Sequence, residues 1–346
     1  MNFPTILEAF RHSLDLPALA GAIVTDEAVV EADAVGCRRY RGAANVALHD
    51  QFHLASCTKA FTATLLAIIV DEGMVEWTTP LSAIFPDQAK AMRPEWRGVT
   101  LRDLLSHGAG LMCDPGLTYR ARTPREERAE VTAWSLLQPP AGVRGRYLYS
   151  NMGYIVAGAI AELLTDRPYE ALLQERLLDP MGITTAGFGP MGTPGLDDQP
   201  LQHRSDHSAV VPGPDADNPP IYGPACRLHM SIGDWAKFIQ WVLAAEAGHA
   251  TLLSQSTAAM LTTPVVADDS GGFYGLGWGI SQQELSGGKT LTHAGSNTLS
   301  YAIAWLAPAK RFGVIVATNQ GPGGSPNPLS PVATRMVEYF LERNSR

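Results

Sequence analysis

The chain has 346 residues, enough for two domains of about 150 residues or one large one, and it can bury a substantial core. Apolar residues at 45%, charged residues at 17%, 33 Gly and 25 Pro exclude a disordered, fibrous or low-complexity protein. The net charge of −8 excludes the broad basic field that drives nucleic-acid binding, and the longest nearly apolar stretch, the 11 residues 60–70, is far short of the roughly 20 that span a bilayer, so neither nucleic acid nor membrane is an expected partner.

From the N-terminus, Ile6, Ala9, Phe10 and Ser13 recur near helical spacing over 5–14, and the apolar run 18–24 between Pro17 and Asp26 reads as a strand. A second run, 29–35, follows Thr25-Asp26-Glu27 as a hairpin partner. The centre, 56–245, carries the longer helical patterns at 56–72, 101–106, 151–164, 169–177 and 232–245, joined by long loops. After about residue 270 short β-rich runs return at 290–293, 300–306 and 312–318, with Pro308 at a turn, and Val332, Met336, Tyr339 and Phe340 mark one face of a final helix. The simplest assembly is an α/β (α+β) fold: a discontinuous domain of residues 1–55 and 265–346 around an antiparallel sheet flanked by helices, and a mainly helical domain of residues 56–264, with ligands at the boundary.

The N-terminal residues show no basic start, apolar core and cleavage site, so the expectation is a cytoplasmic protein, or a periplasmic one if a leader has been trimmed. Cys37, Cys57, Cys113 and Cys226 have no metal-finger or redox spacing and read as reduced, mostly buried thiols. His203-x-x-x-His207 has the spacing of a metal pair but sits in a Pro/Asp/Ser-rich segment and is expected to be a surface loop. Neither metal nor organic cofactor is expected: no phosphate-binding glycine loop is present, and no G-x-S-x-G turn points to another hydrolase fold.

Three junctions hold residues that can do chemistry. Ser56-Cys57-Thr58-Lys59 opens a helix that is apolar almost all round, and positions i and i+3 share a face, so Lys59 lies beside the Ser56 hydroxyl where desolvation depresses its pKa toward that of a base. Taken alone the pattern reads first as a helix N-cap with Lys59 reaching to water. A second S-x-x-K, Ser286-Gly287-Gly288-Lys289, lies in a polar glycine turn where Lys289 is expected to be solvated. Tyr149-Ser150-Asn151 precedes the helix at 151–164 and presents a phenol and an amide to a cleft, the phenol as proton carrier if a neighbouring ammonium lowers its pKa; by itself it reads as a capped helix start with a core tyrosine. His293-Ala294-Gly295-Ser296 ends a strand, where Gly295 lets a substrate backbone approach closely and the Ser296 N–H can serve as an oxyanion donor.

In this order and at these separations the three motifs resemble the serine β-lactamase and penicillin-binding-protein family, specifically the branch of class C β-lactamases, D-alanyl-D-alanine carboxypeptidases and family VIII carboxylesterases. The stretch from Thr100 to Leu111 (TLRDLLSHGAGL) is similar to that branch's T-[LI]-R-x-L-L-x-H-x-S-G-L, with Ala109 where Ser is usual. Leu178-Asp179-Pro180-Met181-Gly182-Ile183 and Tyr274-Gly275-Leu276-Gly277-Trp278 match two further signatures, so the resemblance covers residues 19–320. It implies a β-lactamase/transpeptidase-like fold with Ser56 as the acylated nucleophile, Lys59 as its basic partner and Tyr149 as the proton shuttle to the leaving group and deacylating water. It further implies that Asn151 contacts Lys59 and substrate, that His293 and Gly295 line the substrate strand, and that the N–H groups of Ser56 and Ser296 form the oxyanion hole.

Two departures bear on substrate. His293 stands where class C β-lactamases usually have Lys, as in peptidase-like members, and Arg227 falls in Ala225-Cys226-Arg227 where relatives often carry glycines. Arg227 reads as a group that narrows the cleft or binds a substrate anion, or as a solvated loop arginine. The expected function is a serine hydrolase of small esters or amides, with carboxylesterase ahead of D-amino-acid peptidase or D,D-carboxypeptidase and of β-lactamase, so the expected partner is a small-molecule ester, amide or β-lactam. An acyltransferase or a non-catalytic penicillin-binding-type sensor on the same fold are the alternatives.

Overall fold

Residues from the two ends of the chain build one antiparallel sheet. The computed structural model describes residues 2–116, 123–324 and 327–344. Its main strands are β1 (Ala18–Thr25), β2 (Val29–Gly36), β3 (Val266–Ala267), β4 (Phe273–Tyr274), β5 (Gly279–Gln283), β6 (Gly288–Ser296), β7 (Tyr301–Ala307) and β8 (Phe312–Thr318), in the spatial order β2-β1-β8-β7-β6-β5-β4-β3. The N-terminal and C-terminal runs meet where β1 pairs with β8, Leu19 opposite Thr318 and Thr25 opposite Phe312.

Both faces of the sheet are covered, which is why its central strands read as continuous apolar runs rather than as alternating ones. Leu19, Ile23, Ile303, Trp305, Val314 and Val316 face the terminal helices α1 (Phe3–Ser13) and α5 (Ser330–Asn344), whose Ile6, Leu7, Val332 and Met336 complete that layer. The opposite side chains, Ala20, Ala22, Ala302, Ala304 and Ala317 among them, join the larger core with α2 (Thr58–Asp71), α3 (Asn151–Thr165) and α4 (Ile232–Glu246). Small residues on this face allow α4 to pack directly on β1 and β8.

Helix α2 runs through the middle of the large core. All of residues 58–69 are buried, as expected for a helix that is apolar on every side. Helix α3 starts where the Ser150 hydroxyl accepts the Gly153 N–H at 2.9 Å. The anticipated helices at 5–14, 56–72, 151–164 and 232–245 and strands at 18–24, 29–35, 300–306 and 312–318 agree with the structure to within about two residues.

Apolar periodicity missed the helix Pro124–Ser135, because its buried face is held by charge as well as by hydrophobic contact. Thr123 caps it, Pro124 occupies its first turn, and the fully buried Arg128 guanidinium bonds Glu162 of α3 and Glu170 of the next helix. The expected surface loop at 203–207 is also corrected at His203. His203 is fully buried in a short strand, its Nε2 accepting the Tyr40 N–H and its Nδ1 bonded to the Asn319 carbonyl, both at 3.0 Å, while the His207 ring stacks on Tyr40. His203 is thus pinned at the end of the sheet, while Arg204, Ser205 and Asp206 form the exposed turn that was expected. Among the described residues no group of three or more His, Cys, Asp or Glu side chains is placed to hold a metal, and no helix is long and apolar enough to cross a membrane.

Candidate active site

The Ser56 turn is made by a short strand, Gln51–His53, followed by a single 3-10 turn, Ala55–Cys57, that feeds α2. Ala55 adopts φ +45°, a left-handed conformation that costs a non-glycine residue free energy and turns the chain sharply enough to present the next side chain at the head of the helix. The strand β6 passes directly over this turn. A Cβ on Gly295 would lie 2.4 Å from the Leu54 carbonyl oxygen and 2.6 Å from the Ser56 nitrogen, so only glycine permits the two backbones to come this close.

Around Ser56 the structure brings together the serine, lysine, tyrosine and asparagine singled out from the sequence. Lys59 Nζ lies 3.2 Å from Ser56 Oγ, 2.7 Å from Asn151 Oδ1 and 2.9 Å from the Ala225 carbonyl oxygen. The Tyr149 hydroxyl donates to Ser56 Oγ at 2.8 Å. Lys59 is fully buried, and that desolvation lowers its pKa to about 8, against the partial compensation of nearby acidic groups such as Asp114. An amine with that pKa can take a serine proton near neutral pH and return it.

Burial acts in the opposite direction on the phenol. Tyr149 is raised well above the ordinary tyrosine value by desolvation, opposed by its bond to Ser56. The condition set for this phenol, a pKa lowered by a neighbouring ammonium, is not met: the Lys59 nitrogen lies 4.8 Å from the centre of the Tyr149 ring, and desolvation prevails. Tyr149 is thus protonated at physiological pH and able to donate, while Lys59 can lose or gain a proton near it.

His107, quoted in the Thr100–Leu111 motif but not among the candidate site residues, fixes the tyrosine. Its carbonyl oxygen accepts the Leu148 N–H at 2.9 Å and its Nδ1 accepts the Ser150 N–H at 3.1 Å, which brackets Tyr149 on both sides. The ring packs against Tyr149 and Tyr274 with centroids 4.5 and 4.6 Å away, and burial drives its pKa well below the ordinary histidine value. His107 adopts a left-handed φ of +61°, and the signal for such a turn in the sequence was the glycine-rich His107-Gly108-Ala109-Gly110.

On the β6 side, Tyr274 lies 2.9 Å from His293 Nε2, and His293 Nδ1 lies 3.0 Å from the Ala294 carbonyl oxygen. The carbonyl can only accept, so Nδ1 carries the ring proton and Nε2 accepts from the tyrosine. Burial, with the Lys59 charge adding to it, pushes His293 down to about 3, and the imidazole is neutral at physiological pH. Ser296 ends the strand with its hydroxyl accepting the Thr298 N–H at 3.0 Å. Asn151 spans the cleft, its amide nitrogen donating to Asp114 at 2.9 Å while its oxygen accepts from Lys59.

Arg227 is drawn away to a separate partner. Its Nε lies 3.3 Å from Asp217 Oδ2, and its guanidinium fills the space over Gly189. Asp217 also meets His53 at 3.0 Å, a buried pair that sequence reasoning missed because the two residues are 164 positions apart. The second S-x-x-K differs from expectation: Ser286 is buried with its hydroxyl bonded to main-chain carbonyls, and Lys289 is paired with Glu246 at 2.5 Å rather than solvated. All four cysteines are free, with Cys57 and Cys226 buried.

The family described as Beta-lactamase matches residues 3–335. Among characterised relatives, the unguisins hydrolase ungD of Aspergillus violaceofuscus is 26% identical over 88% of this chain, which spans 58% of that longer protein. The lovastatin esterase of Penicillium rubens is 28% identical over 42% of the chain and 41% of its own length. The class C beta lactamase from Rhodobacter sphaeroides shares the fold, with a TM-score of 0.78, 16% identity and coverage of 98% of this chain and 99% of the other. A match that runs from the first helix into the last takes in every strand of the sheet and both walls of the cleft, and the chain belongs to the β-lactamase family.

Proposed function

We propose that the protein is a serine hydrolase that cleaves small esters or amides through a covalent acyl-enzyme on Ser56, with carboxylesterase activity foremost. The observation that carries this reading is the convergence of Lys59 Nζ and Tyr149 OH on Ser56 Oγ at 3.2 and 2.8 Å. Neutral Lys59 takes the serine proton as Oγ attacks the carbonyl carbon, and the Ser56 and Ser296 N–H groups hold the oxyanion that forms. Collapse of that adduct breaks the bond to the leaving group, which receives the Tyr149 proton, and Tyr149 is reprotonated from Lys59. Water then attacks the acyl carbon, passes a proton back along the same pair, and releases the acid and Ser56.

Ester and amide substrates are favoured over β-lactams by the charge of the cleft. Of the two groups considered for a substrate carboxylate, His293 is neutral and Arg227 is committed to Asp217. Brief exposure to p-nitrophenyl butyrate, followed by intact-mass measurement and peptide mapping, is expected to place a short-lived butyryl group on the Ser56 peptide. The same experiment with a penicillin is expected to yield little adduct. Release of p-nitrophenol with no adduct on Ser56 would exclude the mechanism, and a long-lived penicilloyl adduct would put penicillin binding ahead of ester hydrolysis.

The same geometry sets a pH profile. Because Lys59 must be neutral to act as base and titrates at about 8, kcat/KM for the ester is expected to rise about tenfold per pH unit below 8 and level off above it. Neither His107 nor His293 is expected to add an inflection between pH 6 and 7, since burial holds both neutral. An inflection in that interval would place a histidine, not Lys59, in control.

A further inference from the structure

The two main-chain N–H groups assigned to the oxyanion hole come from segments 240 positions apart, the Ser56 turn and the end of β6. One buried carboxylate connects them. Asp217 follows a short 3-10 turn, Pro214–Ala216, and its side chain is 1% exposed. Its Oδ2 meets His53 Nε2 at 3.0 Å, and its Oδ1 accepts from the Asn297 amide nitrogen at 3.2 Å.

Each of these two partners adjoins one of the N–H donors. His53 Nδ1 accepts the N–H of Ala55 at 3.1 Å, one residue before Ser56, which places the ring proton on Nε2, facing Asp217. That bond ties down Ala55 at its left-handed φ of +45°, a conformation that costs a non-glycine residue free energy. Asn297 directly follows Ser296, and its side-chain oxygen accepts the Ser300 N–H at 2.9 Å, fixing the chain where it leaves β6. Arg227 adds its charge to the carboxylate at Oδ2, the oxygen that also meets His53. Burial works to raise Asp217, but its contacts with His53, Arg227 and Asn297 outweigh it and hold the carboxyl below its ordinary range.

We propose that Asp217 and His53 are positioning residues for acyl transfer: the carboxylate, through His53 to Ala55 and through Asn297 to the end of β6, sets the spacing of the Ser56 and Ser296 N–H groups that receive the carbonyl oxygen. This rests on the acyl-enzyme reading above and assigns the residues that keep its two donors in register. Neither residue touches the reacting atoms, so the effect falls on the transition state, where donors displaced by a fraction of an ångström lose most of their value.

The test compares p-nitrophenyl butyrate with its thionoester, in which sulfur replaces the carbonyl oxygen and accepts hydrogen bonds poorly. The wild-type protein is expected to cleave the ester much faster than the thionoester. In Asp217→Asn the amide has one acceptor oxygen where the carboxylate has two, so one link is lost; in His53→Gln the donor to Asp217 is kept and the acceptor for Ala55 is lost. Both variants are expected to lower kcat for the ester about 10- to 100-fold with KM little changed, and to lower the ester-to-thionoester rate ratio by a similar factor. The ratio is read on the folded fraction, so a loss of stability alone lowers both rates equally and leaves it fixed. Variants that retain the wild-type ratio would overturn the clamp while leaving the oxyanion hole in place. A wild-type protein that fails to discriminate ester from thionoester would remove the oxyanion hole, and with it the clamp.

Discussion

Removing either member of the Ser56–Lys59 pair is expected to reduce ester hydrolysis by about four to six orders of magnitude, and Ser56→Ala combined with Lys59→Met to be no worse than the poorer single variant. The pair acts as a unit: Lys59 has no serine proton to take once the hydroxyl is gone, and the hydroxyl is a weak nucleophile once the amine 3.2 Å away is gone. Steady-state rates with p-nitrophenyl butyrate, corrected for the uncatalysed reaction, check this, and additive losses would show that the two residues work independently.

Lys59→Met also has a distinct signature in stability. The folded chain holds Lys59 at about 8, against an ordinary value of 10.5. Below pH 8 the amine is protonated both folded and unfolded, and burying its charge costs about 3 kcal/mol. Between about pH 8 and 10.5 the unfolded chain keeps the proton that the folded chain has released, so stability rises with pH. The wild-type protein is therefore expected to gain up to about 3 kcal/mol on Lys59→Met across that interval, measured by urea unfolding at several pH values. Parallel stability curves for the two proteins would mean that Lys59 is not desolvated in the folded state.

Gly295→Ala is expected to lower kcat/KM by about 100-fold or more and to cost about 1–3 kcal/mol of stability. The added methyl would meet the Leu54 oxygen at 2.4 Å, the Ser56 nitrogen at 2.6 Å and the Cys57 nitrogen at 3.0 Å. All three are backbone atoms at the nucleophile turn, so no side chain can rotate away, and β6 or the turn itself must shift. Gly233→Ala, where an added Cβ meets nothing within 4 Å near the start of α4, is the matched control and is expected to leave the rate unchanged. Kinetics and urea midpoints on both variants decide the point, and a Gly295→Ala protein with wild-type kinetics would mean that β6 and the turn can separate without affecting the chemistry.

What the chain alone determined follows local rules. The apolar runs at 18–24 and 312–318 mark central strands because both faces of the sheet are covered, and the all-round apolar α2 marks a buried helix with Lys59 as its single buried charge. Ser56 and Lys59 are one helical turn apart, so their contact follows from helix geometry. Tyr149 and His293 were legible as motifs at segment junctions, but their distances to Ser56 depend on packing over tens to hundreds of residues.

The tertiary structure decided the charges and the clamp. Whether Lys59 and His293 are charged depends on how completely other segments exclude water from them, and the same desolvation that lowers both raises Tyr149. Arg227, which by position alone could face substrate, is turned to Asp217 because that carboxylate is buried and needs a cation near it. The His53–Asp217–Asn297 chain, with partners 164 and 80 positions apart, leaves no local pattern in the sequence. Hydrogen bonds within a helix or turn are encoded by spacing; those between distant segments exist only after the core has brought the segments together.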